Sequence, residues 1–92
     1  MTNEHLKPTH VVESWQHVFA DGVQRSLRLY VAKDDDGWQL MAARIEDGPR
    51  LGLLTRAQMD DLIESFDQNA ASGYPFDDEV QPMTGADRKE LN

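Results

Sequence analysis

The sequence contains no cysteine, so neither a disulfide framework nor a thiolate metal site is available to it. It is also short, with 92 residues. A chain of this size buries only about 60 to 65% of the surface that it exposes when unfolded. We therefore expect one domain with a thin core that no cross-link reinforces, in a reducing compartment.

Basic residues are scarce. Nine lysines and arginines stand against 17 aspartates and glutamates, giving a formal net charge of −8. This balance disfavours binding to duplex DNA by general phosphate neutralisation, which needs a basic surface. A protein with a basic or nucleic-acid-binding surface is the more natural partner for such a chain.

Long hydrophobic runs are absent as well. No stretch approaches the roughly 20 apolar residues that span a bilayer. The first ten residues lack the apolar run of a signal peptide and the arginine-rich pattern of a transit peptide. We therefore predict a cytoplasmic protein with no membrane partner.

The patterns that usually mark catalysis or metal binding are missing too. No serine stands in a G-x-S-x-G setting, and the glycines are isolated at turns. His10, Glu13 and His17 lie close together but lack the HExxH spacing, and the run Asp34–Asp36 lacks the offsets of a calcium loop. We interpret these groups as surface polar residues and a solvated turn, and predict no enzyme activity, no cofactor and no metal.

The stretch 54–73 carries the clearest start and stop signals of a helix. Thr55 is followed three residues later by Gln58, which is the spacing of a capping box. Gly73 and Pro75 end the pattern, since glycine adopts the left-handed conformation common just after a helix and proline cannot continue one. Five apolar residues recur at the spacing of one helical face and predict the side that packs on the core: Met59, Leu62, Ile63, Phe66 and Ala70.

The opposite side of this helix is strongly anionic. We interpret it as a partner-binding acidic face, although a solvated surface that only keeps the protein soluble has the same composition. Its residues are Asp60, Asp61, Glu64 and Asp67.

Two hairpins are predicted before the helix. Apolar and polar residues alternate along 23–31, and Asp21-Gly22 separates this run from the apolar run 11–19. A two-residue turn would place Trp15 opposite Arg28, so the Trp15 ring would lie away from the apolar side chains of the next strand. We therefore predict a three-residue loop, 20–22, with Gly22 in the left-handed bulge position. This register pairs Phe19 with Val23, Trp15 with Leu27 and Val11 with Val31.

The second hairpin turns at Asp35-Asp36-Gly37. A three-residue loop there buries Met41, Ala43 and Ile45 and leaves Trp38, Leu40 and Arg44 on the other face, whereas a four-residue loop exchanges the two sets. A short fourth strand follows at 51–54. The fold class is α+β, an antiparallel meander of three to four strands with one helix packed on one face.

The uncovered sheet face is the second candidate binding site. Arginine beside aromatic residues suits both protein interfaces and stacking on unpaired bases. We predict this partner-binding sheet face from four residues: Arg28, Tyr30, Trp38 and Arg44.

The ends of the chain are poor in apolar residues. We predict a flexible arm over 1–8, a single domain over 9–76 and a mobile acidic tail over 77–92. Tyr74, Pro75 and Phe76 are expected to fold back against the sheet edge. Thr84 and Asp87 have the spacing to cap one helical turn, which a partner would stabilise.

In size, acidity, lack of cysteine and lack of a catalytic pattern, the chain resembles the small proteins with which phages and mobile elements block host defence, such as anti-CRISPR and anti-restriction proteins. The resemblance implies a partner with a positively charged nucleic-acid channel, which the acidic residues occupy as nucleic-acid mimics. We therefore expect a non-enzymatic inhibitor or adaptor that occludes a basic surface. A single-stranded nucleic-acid binder using the sheet face, and an antitoxin-like subunit of a neighbouring gene product, are the alternatives.

Overall fold

The computed structural model describes residues 7–73 and 77–91. Its five strands form one antiparallel sheet in the order β4-β3-β2-β1-β5. The predicted α+β class is confirmed, with one strand and one helix more than expected. The elements in chain order are β1 His10–Val18, β2 Gln24–Asp34, β3 Gly37–Asp47, β4 Arg50–Gly52, α1 Arg56–Ala71, a 3₁₀ turn Asp77–Glu79, β5 Gln81–Pro82 and α2 Gly85–Glu90.

The β1–β2 hairpin has the predicted three-residue loop. The Phe19 amide donates to the Val23 carbonyl at 3.1 Å, and the Gly22 amide donates to the Phe19 carbonyl at 2.8 Å. Gly22 has a φ of 81°, the left-handed conformation that the loop requires. Trp15 lies opposite Leu27, as predicted.

Further along, β1 contains a bulge that the sequence did not reveal. Pairing with β2 shifts between Val12 and Trp15, and Ser14 has a φ of 58°, which is uncommon for a residue other than glycine. The predicted Val11–Val31 pair is therefore wrong, because the extra residue places Val11 opposite Tyr30. Val12 joins the main core, and Val11 is buried on the other face of the sheet.

The β2–β3 hairpin differs from its prediction near the turn. Its loop is the two-residue turn 35–36, and Gly37 already pairs with Asp34. A second bulge follows at Met41, which was predicted to face the core, and such an extra residue reverses which side chains lie on each face. Ala43 and Ile45 lie on the core side of β3, as predicted. Trp38 and Leu40 lie there as well, although the three-residue loop placed them on the other face.

Helix α1 covers the core face of the sheet. The Thr55 hydroxyl accepts from the Gln58 amide at 3.1 Å, and the Gln58 side chain accepts from the Thr55 amide at 2.9 Å, so the capping box is confirmed. Leu62 and Phe66 are fully buried against β-strand side chains. Ile63 is 39% exposed instead, because at 100° per residue it lies about 60° around the helix from Phe66.

The segment predicted as a mobile tail is folded onto the sheet. Val80 joins the main core, and β5 pairs with β1 through Gln81 and Pro82. Thr84 and Asp87 form a complete capping box at the start of α2 without any partner. The folded unit therefore continues past the predicted boundary at residue 76.

Some predictions fall on residues outside the described ranges. These include the fold-back of Tyr74, Pro75 and Phe76 and most of the arm over 1–8. None of the helices within 7–73 and 77–91 combines the length and the apolar character needed to cross a membrane.

Candidate protein-binding surfaces

The acidic face of α1 is mostly exposed, as its prediction requires. The side chains of Asp60, Glu64 and Asp67 are exposed, and none of their carboxylates makes a hydrogen bond or ion pair within the described part of the chain. Asp61 is different, since its carboxylate accepts a 2.7 Å hydrogen bond from the Ala20 amide and lies 3.5 Å from Nε2 of His17. Asp61 therefore fixes α1 to the β1–β2 loop.

We call Asp60, Ile63, Glu64 and Asp67 the acidic stripe. Its carboxylates are spaced by four and three residues, a spacing at which like charges on a helix repel each other. None of them lies in the first turn, where the helix dipole would favour a negative charge. The stability of α1 therefore does not account for their presence, and Ile63 adds exposed apolar surface among them.

Arg28 is the centre of a polar network on the opposite face of the sheet. Its side chain is 21% exposed and lies within ion-pair distance of four carboxylates. Two come from strands and two from α2. The distances are 3.4 Å to Glu13, 3.7 Å to Glu46, 3.1 Å to Asp87 and 3.5 Å to Glu90.

Burial disfavours the charged form of Arg28, but the surrounding carboxylates outweigh it and raise the pKa of the guanidinium above its ordinary value. Tyr30 is fully buried beside it, and its hydroxyl donates to Oε2 of Glu90 at 3.1 Å. Burial and this hydrogen bond raise the pKa of the Tyr30 phenol. Arg28 therefore contacts α2 as a cation, and Tyr30 contacts it as a neutral hydrogen-bond donor.

The bulge in β1 serves this network. With Ser14 in its left-handed conformation, its amide donates to Glu46 at 3.2 Å, and the Ser26 hydroxyl donates to the same carboxylate at 2.8 Å. Glu46 in turn lies beside Arg28. Three strands are thus joined across one face through a single carboxylate, which accounts for the strained backbone of Ser14.

The four residues of the predicted sheet face do not form one open patch. Arg28 and Tyr30 contact α2, and Arg44 lies opposite Arg28, with its guanidinium donating to the Ala43 carbonyl at 2.8 Å. Trp38 lies on the core face, because the bulge at Met41 moves it there. The prediction is corrected accordingly: three of its residues share a face, and α2 covers two of them.

The histidines and Glu13 of the sequence cluster are dispersed. His10 contacts the Trp38 ring edge-on at 5.1 Å between ring centres, Glu13 pairs with Arg28, and His17 lies beside Asp61. Within the described ranges no three histidine or carboxylate side chains are arranged to hold a metal ion.

Sequence reasoning missed Glu13, Glu46, Asp87 and Glu90 as members of one site. The capping signal at Thr84 was the one local hint that the C-terminal segment is ordered. The contact between Arg28 and Asp87 joins residues 59 positions apart, which no local pattern encodes.

Comparisons with protein-family models, curated proteins and solved structures found no match.

Proposed function

We propose that this protein is a non-enzymatic inhibitor or adaptor that occludes a basic surface of a partner protein with its acidic stripe. The observation that supports the proposal is the set of exposed carboxylates on α1, at Asp60, Glu64 and Asp67, which have no ion-pair partner among residues 7–73 and 77–91. Their mutual repulsion weakens the helix that carries them.

The acidic stripe can contribute both to the approach of a basic partner and to the contact that follows. Its charge, added to the net charge of −8, draws a basic surface toward the protein and raises the association rate. Ile63 then supplies apolar area that is buried on contact. The capped helix α1, anchored by Leu62 and Phe66, presents these side chains without rearrangement.

In its more specific form the proposal names a partner that binds nucleic acid. The stripe sets Asp60, Glu64 and Asp67 along one helix face with Cβ atoms about 5 to 6 Å between neighbours. Such a row of carboxylates can occupy a channel that normally holds phosphates. This form rests on the resemblance to anti-CRISPR and anti-restriction proteins, and competition between the protein and a nucleic acid for the partner tests it.

Paired affinity captures test the general form. The first bait is the wild-type chain, and the second carries Asp60→Lys, Glu64→Lys and Asp67→Lys. We expect a basic protein to be recovered from a lysate of the source cell by the wild-type bait and lost from the triple variant.

A third bait separates the stripe from net charge. Asp35→Lys, Asp36→Lys and Asp47→Lys change the charge by the same amount at exposed positions on the sheet turns. This bait is expected to recover the partner like the wild type. If the turn variant loses the partner as completely as the stripe variant, general charge explains the capture and the proposal fails.

A further inference from the structure

Helix α2 lies on the sheet in the manner of a bound ligand. Asp87 and Glu90 are one helical turn apart and contact the same guanidinium nitrogen, Nη1 of Arg28, at 3.1 and 3.5 Å. The Tyr30 hydroxyl donates a third hydrogen bond, to Glu90. The sheet thus offers a cation and a hydroxyl that are placed for two carboxylates on one turn of helix.

An apolar surface lies on the same face. Val11, Tyr30 and Ala32 are at most 2% exposed, yet none of them belongs to the main core cluster. Val11 pairs directly with Tyr30, and Ala32 follows Tyr30 at the two-residue spacing of one sheet face. The site therefore combines a carboxylate-binding pair with an apolar floor.

The hold of α2 on this face is modest. The helix has six residues, which is too short for a helix to be stable by itself, and β5 contributes only two paired residues. Further contacts are the hydrogen bond from the Tyr30 hydroxyl to Glu90, one backbone hydrogen bond from the Met83 amide to the Thr9 carbonyl, and the ion-pair network, in which four carboxylates share one guanidinium and repel each other. Val80, which is buried in the main core, keeps the start of the segment in place if α2 leaves.

We propose that the sheet face around Arg28 and Tyr30 is a second binding surface, for a short acidic helical segment of a partner protein, and that α2 is its intramolecular occupant. The chemistry of the partner segment follows from the occupant seen: two carboxylates three residues apart beside an apolar side chain. This surface is separate from the acidic stripe, so either proposal can fail without the other.

The surroundings favour a segment longer than α2. An open pocket of about 420 Å³ lies beside Leu91, and Arg44, Leu51 and Leu53 line its sheet side. Leu53 is 76% exposed, so this side offers an uncovered leucine next to a second arginine. An acidic helix with one more turn than α2 can cover both residues, which α2 leaves open.

Tethering gives α2 an advantage over a partner in solution. A segment on the same chain competes at an effective concentration in the millimolar range, so a free peptide binds only when α2 is released. The surface is therefore closed by default and opens to a partner that binds more tightly than α2 or is held nearby by another contact.

The experiment uses the full chain carrying Asp87→Lys and Glu90→Lys, which turns the two contacts with Arg28 into repulsions and removes the Asp87 side of the α2 capping box. The probe is a fluorescein-labelled peptide of residues 77–92 with its native sequence. We expect hydrogen exchange at residues 85–90 of the variant to accelerate at least tenfold. We also expect the probe to bind the variant chain at least tenfold more tightly than the wild-type chain.

Two controls make the outcome specific. A chain with Asp78→Lys and Glu79→Lys has the same change in charge at exposed positions outside the Arg28 contact, and is expected to keep α2 protected and to leave the probe unbound. A probe carrying only Glu90→Gln, a position outside the α2 capping box, tests the carboxylate contact and is expected to bind at least tenfold more weakly than the native probe.

Either of two results overturns the proposal. Unchanged protection of residues 85–90 in the Asp87→Lys, Glu90→Lys chain means that the carboxylates do not hold α2. Release of α2 without preferential binding of the native probe means that the face is not a carboxylate-binding surface. If the lysine variant does not fold, hydrogen exchange and probe binding are measured instead on the chain with Asp87→Asn and Glu90→Gln, which adds no positive side chain. The same two results then overturn the proposal.

Discussion

The two faces of the sheet are covered by helices that are held in different ways. Helix α1 has 16 residues and a complete capping box, and it buries Leu62 and Phe66 among aliphatic and aromatic side chains. Helix α2 also has a capping box, but it has only six residues, and two of its carboxylates, Asp87 and Glu90, pair with Arg28. Apolar burial is non-directional and is not weakened by ionic screening, whereas ion pairs need specific partners and are weakened by salt. We infer that α1 is the permanent cover and α2 the removable one.

The largest effect is expected from the core under α1. Phe66→Ala removes a fully buried ring that packs on Trp15 with ring centres 5.6 Å apart, and should lower the free energy of unfolding by about 3 to 5 kcal/mol. Urea denaturation measures it. Ile63→Ala, on the same helix but exposed, serves as the control and should change stability by about 0.5 kcal/mol or less. Equal losses from the two variants would contradict the assignment of the core side.

A smaller and more local effect is expected from Arg28→Gln. The change leaves Glu13, Glu46, Asp87 and Glu90 near each other without their shared cation. Because the side chain keeps partial access to water, we expect a loss of about 1 to 3 kcal/mol, below that of a fully buried pair. Hydrogen exchange should accelerate over 85–90 and remain unchanged over the middle of α1. Acceleration in both helices would show that the two covers are not independent.

Alkaline pH should release α2 before α1. The pKa of Tyr30 is raised in the folded protein above its usual value near 10, so its neutral form stabilises the fold fully below that pH. This stabilisation is lost as pH rises through the folded pKa, when a phenolate faces Glu90. Absorbance of tyrosinate, followed in a Tyr74→Phe background so that only Tyr30 titrates, measures the transition.

Glu90→Gln is the matched variant for this titration. Removing the carboxylate beside the phenol should lower the pKa of Tyr30 toward its usual value. A Tyr30 pKa that is the same in both chains would show that Glu90 does not contact the phenol in solution.

The smallest signal is expected when single-stranded nucleic acid is added to the wild-type chain. Because α2 covers Arg28 and Tyr30, and Trp38 lies on the core face, these three side chains form no open stacking platform for unpaired bases within residues 7–73 and 77–91. Titration of a labelled single-stranded oligonucleotide at low salt should therefore show no binding to the wild-type chain. Saturable binding that weakens with salt would revive the single-stranded nucleic-acid hypothesis.

The features that the sequence predicted well are those with local signals. Thr55 and Gln58 are three residues apart, and Gly22 marks its loop by its conformational preference, so the start of α1 and the first hairpin could be derived. The bulges at Ser14 and Met41 could not, because one extra residue leaves little trace in composition but exchanges the two faces of a strand.

The candidate sites were also predicted well only where the sequence carries a local signal. Three of the four predicted acidic residues are exposed on α1, since helical periodicity determines which residues share a face. Asp61 was assigned to the surface because nothing near it in sequence indicates its hydrogen bond to Ala20. The C-terminal segment was predicted to be mobile because it has few apolar residues, and its hold on the sheet comes from a residue far away in the chain.

Recognition of a basic partner by the acidic stripe is the central proposal for this protein, and the dissociation constant of the captured partner measures it. It is measured for the wild type, for the Asp60→Lys, Glu64→Lys, Asp67→Lys chain and for the Asp35→Lys, Asp36→Lys, Asp47→Lys chain at the same ionic strength. We predict at least a hundredfold weaker binding for the stripe variant and less than a fivefold change for the turn variant. Equal weakening of binding in the two variants, or no weakening in the stripe variant, would contradict recognition of the partner by the acidic stripe.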